Sequence, residues 1–208
     1  MTRQVSVPAE RVARWLDGFA ERHGETVAEA NEHEVRLTGS DGARAGVAVP
    51  FPPLPEGAAD PRERLLAHVA RPRTVGVLLV RRRAHATGVF DGAELIASKV
   101  DTSYVQATTK AGGWSQQRYA RRRANQAAAA FAEAADAAAR VLLPHFPRLD
   151  ALVCGGDRAA VDAVLSDPRL SALAALRTEP WLAVPDPRLR VLQATLAQFR
   201  AIRIWLDP

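Results

Sequence analysis

The sequence predicts an α/β fold: a mixed sheet with packed helices, preceded by a small α+β N-terminal extension. Three observations carry this. Beyond residue 70, short apolar runs alternate with helix-patterned segments, which is the order of a sheet with helices laid on it. One alanine-dominated stretch from Ser115 to about Leu143 is far too long for a strand. The first 70 residues carry helix and strand signals of their own, closed off by the stiff connector Phe51-Pro-Pro-Leu-Pro-Glu-Gly57. The chain therefore divides into an accessory region, 1–70, and a main domain, 71–208.

From Val7 to Gly24 the apolar residues Val12, Trp15, Leu16 and Phe19 recur at helical spacing, and Gly24 supplies the stop. Strands follow at Glu34 to Thr38 and Ala43 to Val49, around the turn Gly39-Ser-Asp-Gly42. Asp60-Pro61 places a cap residue and a first-turn proline ahead of a helix ending near Ala70. The main domain opens with Arg73 to Val80, an apolar run of the buried-strand type. Ala84 to Phe90, the turn Asp91-Gly92 and Glu94 to Val100 complete a β-meander. After the long helix, stopped by Pro144, Ala151 to Cys154 reads as another buried strand. Gly155-Gly156 forms a tight turn, and Asp157 caps a helix through Leu165. A short strand is expected near Val184, a helix from Pro187 to Arg200, and a last alternating strand from Ala201 to Leu206.

Bulk properties narrow the function classes. The 208 residues carry 28 basic and 23 acidic side chains, and among the basic ones only Lys99 and Lys110 are lysines. Arginine's planar fork suits phosphate, so the bias slightly favours an RNA or nucleotide partner; no DNA and no membrane partner is expected. A GC-rich coding sequence raises Arg, Ala and Pro together and accounts for much of this bias, but not for where the arginines cluster. Cys154 is the only cysteine, which rules out an internal disulfide and fits a reducing compartment. No apolar leader precedes Glu10 and no apolar run reaches membrane length, so a cytoplasmic protein is expected. His23, His33, His68, His85 and His145 lack ligand spacing, so neither metal nor cofactor is expected. Arg81 and Arg83 share one strand face, where they meet either RNA or solvent.

The most informative segment is Lys110-Ala-Gly-Gly-Trp-Ser-Gln-Gln-Arg-Tyr-Ala-Arg-Arg-Arg123. Gly112 and Gly113 give backbone freedom for close approach to a ligand. Gln116 and Gln117 offer neutral amides that hold a water or hydroxyl without ionising. Arg118, Arg121, Arg122 and Arg123 crowd the first turns of the following helix, where positive charge opposes the helix dipole unless an anion sits nearby. Arg118, Arg122 and Asn125 share one face. Lys110 adds a further cation, and Trp114 is suited either to stacking on a base or to anchoring the loop. A basic helix end of this kind is a footprint for a nucleic-acid backbone.

Thr108 to Arg123 resembles the active loop of the class-one translation release factors of archaea and eukaryotes, whose catalytic middle domain carries Gly-Gly-Gln before a basic helix. Arg118-Tyr-Ala-Arg121 matches that helix's Arg-Phe-Ala-Arg. The segment looks closer still to the actinobacterial branch of the Vms-type release-factor-like proteins, as do Leu79 to Phe90 and Ala97 to Tyr104. The resemblance covers about residues 73 to 206. It implies a release-factor middle-domain-like fold and a peptidyl-tRNA hydrolase of ribosome quality control. The partners it implies are peptidyl-tRNA and the rRNA of the large ribosomal subunit at the peptidyl-transferase centre.

The resemblance further implies a catalytic set of Gly112, Gly113, Ser115, Gln116 and Gln117. Lys110, Trp114, Arg118, Arg121, Arg122 and Arg123 are implied on the RNA. In one departure from the family pattern, Trp114 occupies the place of the release factors' glutamine, so either Gln116 or Gln117 is the catalytic amide. Two alternatives stand beside ester hydrolysis: cleavage of the tRNA near its 3′ end, as in some relatives, and a non-catalytic ribosome-binding module.

Overall fold

The computed structural model describes residues 3–81, 84–102 and 115–207, and of residues 102 and 115–125 the backbone alone. The chain forms two compact units, Met1–Pro72 with Ala197–Pro208, and Arg73–Leu196.

In the first unit, β1 (Arg3–Val7) leads through a single 3-10 turn into α1 (Val12–His23). The strands β2 (Thr26–Ala30), β3 (Glu34–Gly39) and β4 (Arg44–Ala48) follow, then α2 (Pro61–Ala70). Val12, Leu16 and Phe19 are the buried side of α1, as their spacing predicts, and pack with Val35, Leu37 and Val47 from the sheet. Gly24, at φ 76°, ends α1 in a conformation that L side chains rarely adopt. Asp60 caps α2 by accepting from the Arg62 N–H at 2.7 Å, and its carboxylate also takes the Arg62 guanidinium. That guanidinium holds the Asp60 carboxyl below the usual range.

The second unit opens with β5 (Thr74–Arg81), β6 (Ala84–Asp91) and β7 (Glu94–Thr102), the expected meander. Next come α3 (Ser115–Leu142), a 3-10 turn over Leu143–Arg148 and β8 (Ala151–Gly156). Pro144 and Pro147 both fall in that turn, where the helix has already ended. Then come α4 (Arg158–Leu165), the short α5 (Ser171–Ala175), β9 (Arg177–Leu182) and α6 (Leu189–Arg200). The strand expected near Val184 is β9, which ends two residues before it.

The sheet order is β7-β6-β5-β8-β9. β7, β6 and β5 run antiparallel, and β5, β8 and β9 run parallel, so the sheet is mixed. On one face Leu78, Val80, Val89, Leu152 and Cys154 meet the apolar sides of α3 and α4. On the other face Leu192 of α6 approaches Gly88 so closely that a Cβ there would lie 3.0 Å from it. Strands covered on both faces read as continuous apolar runs, which is why β5 and β8 were legible.

The last strand, β10 (Ile202–Asp207), does not join this sheet. It pairs antiparallel with β1 and with β4, giving the first unit the order β1-β10-β4-β3-β2. The division at residue 70 is corrected accordingly: residues 197–208 group with the N-terminal segment. Ile202 and Ile204 alternate into the first unit's core, and alternation states a strand's faces but not its partners.

Candidate functional site

Register places four chain ends together in the second unit. Arg81 pairs with Ala84, and Ala84 with Thr102, so β5 ends where β7 ends. Val80 lies beside Gly156, and Gly155 beside Leu182, so β8 and β9 also end there. The chain leaves the sheet at Thr102 and re-enters described structure at Ser115, the first residue of α3. Thr102, the last described residue before the Gly-Gly segment, thus lies at the end of the sheet at which the parallel strands terminate. Lys110, Gly112, Gly113 and Trp114 lie outside the described residues, as does Arg83.

Ser115, Gln116, Gln117, Arg118, Arg121, Arg122 and Arg123 form the first turns of α3. This helix has 28 residues, and among its described side chains the buried ones are Ala134, Ala135, Ala137, Ala138, Val141 and Leu142. Residues 126–133 are exposed or half-exposed, Phe131 packing half-buried against the core, so among the described side chains full burial begins at Ala134. At a rise of 1.5 Å per residue, Gln116 lies about 27 Å along the helix from Ala134. The alanines explain how the far end packs so tightly. Small side chains let the helix sit close on Val89 and Leu78, and Leu142 comes within 3.4 Å of where a Cβ on Gly76 would be. Asp136, on the exposed side, pairs with Arg169 at 2.7 Å.

Other polar groups flank this end of the sheet. His85, 3% exposed, faces α3 and stands opposite Asp101 in the β6–β7 register. Burial pushes its pKa down, partly offset by the negative charges of Asp101 and Glu133, so the imidazole is held neutral. Asp157 accepts from the Ala159 N–H at 3.1 Å and caps α4, the role its position after Gly156 predicts. The turn expected at Gly155-Gly156 is instead the end of β8, where both glycines still pair with β5; Gly156, at φ 94° and with no room for a Cβ against the Val80 carbonyl, leads straight into the Asp157 cap. Cys154 is 1% exposed, and burial pushes its thiol up to about 12, so it is a core residue and no nucleophile.

Arg81 donates to the Val184 carbonyl at 2.8 Å and faces Asp186 at 3.7 Å. Trp181 and Asp157 share that cleft. Sequence reading singled out Arg81 but not Trp181 or Asp186. They lie about a hundred residues further on, and only the parallel pairing of β5, β8 and β9 brings them to it. Among the described residues no cluster of His, Cys, Asp or Glu converges as a metal site, and no helix is long and apolar enough to cross a membrane.

The fold and this end of the sheet define an α/β unit that offers a long, basic, partly packed helix beside a glycine segment. Residues 73–205 match the family model described as the Actinobacteria/Chloroflexi VLRF1 release factor, acVLRF1, and the chain belongs to that family. It is therefore a release-factor-like protein of translation. Comparison with curated proteins finds no match.

Among solved structures, the archaeal translation termination factor aRF1 is 15% identical with a TM-score of 0.48, over 96% of this chain and 66% of that one. The chain thus spans just under two thirds of that factor's length. A structure described as an archaeal protein is 15% identical, with a TM-score of 0.42, over 96% of this chain and 67% of the other. The Vms1 mitochondrial localization core is 8% identical, with a TM-score of 0.41, over 96% of this chain and 81% of its own.

Proposed function

We propose that this chain is a peptidyl-tRNA hydrolase that frees nascent chains on stalled large ribosomal subunits in the cytoplasm. The observation that supports this is the packing of α3. Among the described side chains of α3 the buried ones all lie between Ala134 and Leu142, and Gln116 and Gln117 stand in its first turn, at the opposite end of 28 residues. Such a stalk suits delivery of a small catalytic segment into a narrow, RNA-walled site, while the sheet stays outside.

Peptidyl-tRNA is an ester between the nascent chain and a ribose hydroxyl. A water oxygen attacks the carbonyl carbon, the carbon–oxygen bond to the ribose breaks, and the water's proton ends on the ribose oxygen. Gln116 or Gln117 orients that water as a neutral amide, and backbone N–H groups of the glycine segment stabilise the oxyanion by position. Neither task needs an ionised side chain, which is consistent with a site built of glycines and amides rather than of a Ser-His-Asp set. Ser115 supports the turn into the helix. Lys110, Arg118, Arg121, Arg122 and Arg123 neutralise RNA phosphates, and Trp114 stacks on a base or anchors the loop. The region 1–70, with the last strand, serves as an accessory unit.

Purified protein added to large subunits carrying labelled peptidyl-tRNA should release peptide and leave tRNA with an intact 3′ end. One of the variants Gln116→Ala and Gln117→Ala should lose at least about 100-fold in release rate, as for loss of one transition-state hydrogen bond, and still bind the subunit. A shortened tRNA product would replace this reading by phosphodiester cleavage. Binding without any release would replace it by a non-catalytic ribosome-binding module.

A further inference from the structure

We propose that the cleft at the ends of β5, β8 and β9 is a subsite for one unpaired nucleotide of RNA. It is an open depression of about 820 Å³ lined by Arg81, Asp157, Trp181, Val184 and Asp186, among others. The proposal rests on the reading of the chain as a factor that acts on RNA, and it names a contact outside the Gly-Gly segment.

Trp181 is the floor. It is half-buried, packed against the core cluster beneath, and its backbone N–H is fixed on the Glu179 carboxylate at 2.9 Å. An indole held this way loses little freedom on binding, and a base that stacks on it takes the place of a guanidinium now lying over the ring. The Arg158 guanidinium lies 4.4 Å from its ring centroid, and Arg177 lies 5.2 Å away. Arg177 is committed to Asp162 at 2.5 Å. Arg158 makes no ion pair among the described residues, so its N–H groups remain for a phosphate.

The opposite wall carries acceptors. Asp186 is 68% exposed and meets Arg81 only at 3.7 Å, which leaves carboxylate lone pairs for hydroxyls. Asp157 uses one oxygen on the Ala159 N–H and keeps the other. One aromatic plane, one guanidinium that lies on that plane without an ion pair among the described residues, and two carboxylate acceptors match the base, phosphate and ribose hydroxyls of a single ribonucleotide. Paired bases expose no face to a surface of this kind.

The test is binding of the full chain to a fluorescent single-stranded RNA ending in CCA, read by anisotropy, beside DNA of the same sequence and adenosine monophosphate. Trp181→Ala should weaken RNA binding about tenfold or more, and Trp181→Phe should keep most of it. Arg158→Gln and Asp186→Asn, both on the surface, should each weaken it several-fold without changing the melting temperature. RNA should bind more tightly than DNA. Unchanged RNA affinity in the Trp181→Ala, Arg158→Gln and Asp186→Asn variants would overturn the proposal, as would equal affinity for RNA and DNA. Adenosine monophosphate binding as tightly as the oligonucleotide would also overturn it, in favour of a free-nucleotide site. Peptide release by the Gln116 and Gln117 variants is measured separately, so loss of one reading leaves the other standing.

Discussion

The two units are built from similar elements and carry opposite chemistry. The first holds 11 basic and 12 acidic residues, the second 17 and 11, so the whole basic excess of the chain sits in the second. The first has a purely antiparallel sheet whose core lies on the side of α1 and α2, with Glu34, Arg36, Arg44 and Trp205 on the other face. The second has a mixed sheet covered on both faces, and its charged residues gather at the strand ends and along α3. Electrostatic attraction to RNA follows local charge over about a Debye length, so the second unit is the one equipped to meet phosphate. Within the second unit the same contrast recurs along α3. Its last turns are alanine and leucine sunk into the core, and its first turns carry four arginines.

The largest test of this comparison removes the last strand of the first unit. A chain stopped after Arg200 lacks β10, the strand between β1 and β4 that buries Ile202 and Ile204. The first unit should then lose its fold, while β5 to β9 keep their partners. Amide hydrogen exchange would show protection lost across residues 3–70 and kept across β5, β6 and β8. Protection retained in β1 and β4 would mean that β10 only decorates the first sheet.

A smaller effect separates the units by charge. Changing Arg118, Arg121, Arg122 and Arg123 to Gln should lower the slope of log affinity against log salt by about 3 for single-stranded RNA, if each meets one phosphate. Changing Arg36, Arg44 and Arg203 in the first unit should leave that slope unaltered. A reversed result would assign RNA binding to the first unit.

The smallest effect is one of pH. His85 is held neutral by burial, whereas in the unfolded chain it takes up a proton as pH falls through about 6.5. Below that value the unfolded state binds more protons, so His85 makes stability decline as pH drops from 7 toward the lowered folded pKa. His85→Gln should flatten the melting temperature between pH 7.5 and 5.5. An unchanged slope would mean that this residue's protonation is not linked to folding.

The strands that sequence pattern missed share a position. β1 and β2 were not read as strands, β9 was expected only as a short strand near Val184, and each is an edge of its sheet, whereas the edge strand β7 was read from its sequence. Edge strands bond on one side only and tolerate short, polar or proline-containing sequences, as in Thr26-Val-Ala-Glu-Ala30 and Arg177-Thr-Glu-Pro-Trp-Leu182. The interior strands β3, β4, β5, β6, β8 and β10 were legible, because burial demands alternating or continuous apolar residues. Helix caps were legible for a local reason: Asp60 and Asp157 each bond an N–H two residues ahead.

The sequence by itself determined the elements, their caps, the long helix and the basic Gly-Gly segment ahead of it. Each of these depends on residues within a few positions of one another. Tertiary structure alone decided that the last strand completes the first sheet, that the final turns of α3 are sunk into the core, and that Arg81, Asp157, Trp181 and Asp186 line one cleft. Those facts depend on which strands pair and which helix face is covered, and pairing joins residues that carry no mark of each other in the chain.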